Sequence, residues 1–130
     1  MEISQFRVVI RARNFEVTCR FYGETLALPR MQSWDREDGR GALYQAGAGV
    51  VEIQGQAHGS TAARDEAYDY QGPQQKLMLN LVVPSAEKAY EELLFRDRNL
   101  PGGLRQERDG SLVFETHDPD GVKVLFRQGD

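Results

Sequence analysis

Charged and polar side chains of four short segments fall on one of the two alternating parities, and this spacing suggests a binding surface. FRVVIRA (6–12) sets Arg7 and Arg11 between Phe6, Val8 and Ile10, and GVVEIQ (49–54) sets Glu52 and Gln54 between Val51 and Ile53. LMLNLVV (77–83) sets Asn80 among leucines, and VKVLFRQ (122–128) sets Lys123 and Arg127 around Leu125. Residues two apart on a strand share a face. One parity is uniformly apolar, from Phe6, Val8 and Ile10 through Leu77, Leu79 and Leu81 to Val122, Val124 and Phe126, as a helix-covered face should be. The other carries Arg7, Arg11, Lys123 and Arg127 against a single carboxylate, Glu52. In a low-dielectric cleft such an excess favours an anion, because arginine grips a carboxylate or phosphate through two parallel hydrogen bonds. Trp34 and Tyr44 are candidate aromatic walls.

Other reactive residue types are sparse. Cys19 is the single cysteine, so it forms no internal disulfide; among apolar neighbours on an expected helix it reads as a small buried hydrophobe. His58 lies in a polar connector and His117 directly precedes a turn, so both read as surface residues. No nucleophile-elbow motif, no pair of carboxylates and no histidine falls on the polar parity, which leaves proton transfer without an evident base.

These residues need a scaffold, and 130 residues with 40% hydrophobic and 28% charged content suit one globular domain of about 100–150 residues. A net charge of −4 with no dense basic run argues against nucleic acid. No apolar stretch approaches the roughly 18 residues that cross a bilayer, and MEISQF lacks the basic and apolar regions of a leader, so a cytoplasmic location is expected.

Asn14 reads as an N-cap, and Phe15, Cys19, Tyr22 and Leu26 recur at helical spacing, which predicts a helix over 15–26 that Pro29 stops. Strands follow near 30–35, 41–46 and 49–54. The same β-α-β-β-β order then repeats: a strand at 77–83, Ser85 as cap, a helix bearing Ala86, Ala89, Tyr90 and Leu93, and strands near 103–107, 111–117 and 122–128. Asn14 maps onto Ser85 and Arg7 onto Met78 at an offset of 71, and Glu52 onto Leu125 at 73. The halves, about 5–54 and 76–128, are joined by a connector at 55–75 that is read as a hinge, with a lid carrying Tyr68 and Tyr70 or a disordered segment as alternatives.

NFEVTCRFYGETLALP and the closing HDPDGVKVLFRQ resemble segments of the glyoxalase, bleomycin-resistance and extradiol-dioxygenase (vicinal oxygen chelate) superfamily, and the duplicated order extends the resemblance over essentially the whole chain. The resemblance implies an α+β fold in which two βαβββ modules form a curved, cup-like mixed sheet with helices outside. One departure is Ala27, where the family usually has glycine after the first helix.

The superfamily's metal positions, carried over, fall on Arg7, Glu52, Met78 and Leu125, of which only Glu52 matches. Methionine and leucine offer a hard cation nothing useful, and arginine puts a positive charge where it would sit, so neither metal nor cofactor is expected. The expected function is metal-free binding of an anionic or polar small molecule, with Arg7, Trp34, Tyr44, Glu52, Met78, Asn80, Leu125 and Arg127 as site residues. Arg7 has a second reading, as a structural ion pair with Glu52 in place of the lost metal. The alternative function is a lyase, isomerase, dioxygenase or thiol transferase with an altered metal site, or an isomerase using Glu52 as base; an interaction module without a ligand is a third class. A homodimer is implied by the resemblance.

Overall fold

The computed structural model describes residues 1–57, 76–97 and 102–129. The chain divides into two compact units, Met1–Gln71 and Gly72–Asp130. From residue 58 the expected connector, with Tyr68, Tyr70 and His58, lies outside the described residues.

In the first unit, β1 (Arg7–Arg11) leads into α1 (Phe15–Arg20), followed by β2 (Arg30–Arg36), β3 (Gly39–Ala46) and β4 (Gly49–Gly55). The strands form one sheet in the order β1-β4-β3-β2, with β1 parallel to β4 and the other pairs antiparallel. Asn14 is the expected cap: in extended backbone, its side chain accepts a hydrogen bond from the Val17 N–H at 3.2 Å. The helix expected over 15–26 is α-helical only to Arg20. Phe21–Thr25 form a turn of π-helix, closed by the Leu26 N–H donating to the Phe21 carbonyl at 2.9 Å. Ala27 then takes the left-handed conformation, φ 57°, so the chain keeps the glycine geometry while carrying a methyl group.

α1 covers the face that bears Val51 and Ile53. Phe15 packs so closely on Gly55 that a Cβ there would stand 2.8 Å from its ring. Tyr22, Tyr44 and Ile53 are fully buried on this side, beside Ile10 and Ala42. Burial of such side chains is the main source of stability for so small a sheet.

The second unit repeats the order with β5 (Met78–Val83), α2 (Ala86–Arg96), β6 (Arg105–Gln106), β7 (Leu112–His117) and β8 (Lys123–Gln128). Its sheet runs β5-β8-β7-β6, with β5 parallel to β8. Ser85 caps α2 by accepting from the Lys88 N–H at 3.2 Å, and the Gln128 side chain accepts from the Ala86 N–H at 3.1 Å. The core stacks Phe114 on Phe126 at 4.5 Å, with Tyr90 of α2 edge-on to Phe114 at 5.2 Å. β6 is shorter than the expected 103–107, because only Arg105 and Gln106 pair with β7.

The turn between β7 and β8 explains DPDG. Asp118, almost fully buried, accepts from the Asp120 and Val122 N–H groups at 2.8 and 2.9 Å. Gly121 supplies φ 85°. That turn pairs His117 with Lys123 and thereby fixes which residues of β7 and β8 share a face.

Candidate functional site

Strand pairing defines the polar face of the first sheet. Val9 pairs with Glu52, Glu52 with Leu43, Leu43 with Gln32, and Gly41 with Trp34. Paired residues point the same way and neighbours alternate, so Arg7, Arg11, Glu52, Gln54 and Trp34 share one face. The Trp34 indole lies over Gly41, where no side chain would fit: a Cβ would fall 2.0 Å from the ring. The Arg36 guanidinium stands 5.6 Å from the Trp34 ring centroid.

Glu52 is the centre of this face and is only 8% exposed. Arg7 Nη1 donates to its Oε1 at 3.0 Å, and Gln54 Nε2 donates to its Oε2 at 2.7 Å. Both carboxylate oxygens are therefore engaged, which satisfies a buried charge that would otherwise cost several kcal/mol, on the order of a lost ion-pair partner. Gln5 accepts from Arg7 Nε at 2.5 Å and fixes the guanidinium from its other edge. Arg11 and Arg36 are exposed and have no carboxylate partner among the described residues. The face therefore keeps a cationic excess after its one ion pair is formed.

The second sheet places Met78, Asn80, Lys123, Leu125 and Arg127 on one face, again by pairing: Met78 with Lys123, Asn80 with Leu125, and Val82 with Arg127. Met78 and Asn80 are exposed, while Leu125 is buried. Arg127 is not free: its Nη1 donates to Ser111 Oγ and lies 3.8 Å from Asp109. Hydrogen bonds from the Ser111 hydroxyl and N–H hold the Asp109 carboxyl below the usual carboxylate range.

Two residues of the polar faces, one on each sheet, were not singled out from the sequence. Glu115 pairs with Leu125 and bridges Arg105 at 2.9 Å and Lys123 at 3.4 Å. Its burial pushes its pKa up, yet the Arg105 hydrogen bond and the Lys123 charge bring the net value down. The signal existed: counting back from the DPDG turn pairs 117 with 123 and hence 115 with 125. Arg36 lies one residue past the strand expected over 30–35, so its parity with Trp34 went unused.

Tyr44 is placed differently from the expectation that it walls the polar surface. It pairs with Val51, not Glu52, and so faces the helix-covered side of the sheet. The physical reason is strand alternation: Leu43 takes the place opposite Glu52, and its neighbour must point away. There Tyr44 meets the Cys19 thiol; burial pushes the phenol up to about 12, with the thiol contact adding to the shift. Burial likewise raises the Cys19 thiol, outweighing the lowering effects of Tyr44 and Arg30.

The carried-over metal positions do not fit a divalent ion. Arg7 directs a guanidinium onto the only acidic member, Glu52, whose two oxygens are already hydrogen-bonded, and Met78 and Leu125 supply no hard donor. Among the described residues no three His, Cys, Asp or Glu side chains converge as ligands.

Solved structures share this fold. The structure of SMU.1112c superposes with a TM-score of 0.78 over 98% of this chain and 99% of that one, at 14% identity. A lactoylglutathione lyase from Agrobacterium tumefaciens gives 0.65 over 99% and 96%, at 13% identity. A glyoxalase family protein from Enterococcus faecalis gives 0.67 over 97% and 96%, at 21% identity. The likeness is one of fold, which the chain shares also with a glyoxylase/bleomycin resistance protein/dioxygenase domain from Frankia sp., TM-score 0.68 at 17% identity over 100% of this chain and 98% of that one. No family model and no curated protein matches the sequence.

Proposed function

We propose that this chain is a metal-free small-molecule binding protein of the glyoxalase and bleomycin-resistance type, taking an anionic or strongly polar ligand by sequestration or sensing. The observation that carries the reading is the Arg7, Glu52 and Gln54 cluster, in which a guanidinium occupies the carboxylate that a metal would need. Arg11 and Arg36 on the same face supply uncompensated positive charge, and Trp34 supplies an aromatic surface. On the first sheet the contact residues are Arg7, Trp34 and Glu52; on the second they are Met78, Asn80, Leu125 and Arg127. Glu52 is too fully hydrogen-bonded to serve as a base without first releasing a partner.

Trp34 is the single tryptophan, so its fluorescence reports on the first face directly. Titration with small carboxylates and phosphates is expected to give a saturable change that weakens in Arg36→Gln and Arg11→Gln. A stoichiometric divalent ion in protein purified without chelator would overturn the metal-free reading.

The same reading takes the protein to be a cytoplasmic homodimer. What supports pairing of copies is the exposed apolar pair Met78 and Val82 on β5. No helix of the described residues is long and apolar enough to cross a membrane. Light scattering in solution tests the dimer.

A further inference from the structure

The first unit contains a cavity of about 490 Å³ between α1, the π-helical turn and strands β2 and β3. It lies on the side of the sheet opposite Glu52, because Tyr44 lines it and Tyr44 pairs with Val51 while Leu43 pairs with Glu52. Its volume is that of a small-molecule site, for which roughly 300–1,000 Å³ is usual.

The chemistry of the walls is specific. Phe15 and Leu28, both partly exposed, contribute apolar surface, and the buried Tyr44 ring closes the floor, packed so closely under Gly23 that a Cβ there would stand 2.9 Å from it. Arg20 and Arg30 stand on the rim. Arg30 is held with its guanidinium 5.9 Å from the Tyr44 ring centroid, and neither arginine has a carboxylate partner among the described residues. Of the two rim carboxylates, Glu16 is already neutralised by Arg40. Only Glu24 opposes the two arginines, which leaves a net charge of one positive and favours a monoanion over a dianion. Thiol and phenol are both kept protonated by burial, so the floor adds no negative charge.

We propose that this cavity is a second binding site, separate from the polar face, for a small amphipathic monocarboxylate whose apolar body lies on Phe15 and Leu28 and whose carboxylate bonds Arg30 and Arg20. The site does not depend on the ligand reading of the Arg7 and Glu52 face. Its two faces carry separate reporters: Cys19, the single cysteine, lines the cavity, and Trp34, the single tryptophan, lies on the other side.

The test is the rate at which N-ethylmaleimide modifies Cys19 in the full chain, measured with benzoate, hexanoate and the neutral isostere benzamide. At ten times its Kd a bound carboxylate is expected to slow modification roughly tenfold, because only the empty fraction reacts. Benzamide is expected to protect far less. Arg30→Gln, checked for native circular dichroism, is expected to weaken protection by benzoate about tenfold or more, the worth of a charge-assisted hydrogen bond. Arg20→Gln, an exposed change, gives the same direction should the first variant fold poorly. Absence of protection by either carboxylate at millimolar concentration overturns the site; equal protection by benzamide overturns the anion assignment. Protection that survives both arginine variants overturns their role. Trp34 fluorescence in the same titrations separates the two faces: protection of Cys19 without a Trp34 response supports this site even where the polar face binds nothing.

Discussion

Leu43 and Tyr44 are neighbours in β3 that face opposite sides of the same sheet, Leu43 against Glu52 and Tyr44 against Val51. One peptide unit thus separates the polar face, with its half-buried ion pair, from the helix-covered side, with its thiol, phenol and cavity. The two sides answer to different perturbations.

On the polar face, Arg7→Met leaves the nearly buried Glu52 carboxylate with only Gln54. The side chain of Arg7 is itself 41% exposed, which screens the pair, so the expected loss is about 1–2 kcal/mol in urea unfolding. The double variant Arg7→Met/Glu52→Leu is expected to recover most of it, because the uncompensated charge goes too. A single-variant loss under about 0.5 kcal/mol, within the usual range of surface changes, would show that the pair has no structural role.

On the helix side, Tyr44 gives an alkaline signature. Its folded pKa is raised to about 12 from an ordinary value of 10.0. Between those values the folded state holds the proton and the unfolded state has lost it, so stability is full below pH 10 and falls as pH rises toward 12. The expected loss across that window is about 2–3 kcal/mol. Tyr44→Phe is expected to remove this component, seen as a flatter stability profile above pH 10 relative to the parent; an unchanged slope would contradict the burial of the phenol.

At the end of the first helix, Ala27 holds left-handed backbone with φ 57°. Ala27→Gly relieves the methyl clash at that conformation and is expected to stabilise the protein by about 0.5–1 kcal/mol, net of the extra freedom glycine gains in the unfolded chain. Thermal unfolding reads the sign. A drop in melting temperature would mean that the strain is taken up elsewhere in the turn.

Much of this architecture was present in the order of residue types. Alternation in FRVVIRA and VKVLFRQ determined which side chains share a face, because a strand's period of two admits no intermediate orientation. Asn14, Ser85 and DPDG marked the caps and the closing turn through hydrogen bonds that each residue makes to backbone nearby. These are local properties, and local properties are written in the sequence.

What sequence left open was everything that depends on which strands become neighbours. Tyr44 could be assigned to a wall only by knowing its partner, and pairing β3 with β4 turned it toward Cys19. Glu115 joined Arg105 and Lys123 only once β6, β7 and β8 lay side by side. The continuation of α1 as a π-helical turn, which sets Gly23 against the Tyr44 ring beside the cavity, likewise shows only in the packed structure. Long-range pairing brings distant charges and rings within a few ångströms, and hydrogen bonds and ion pairs act only over such distances.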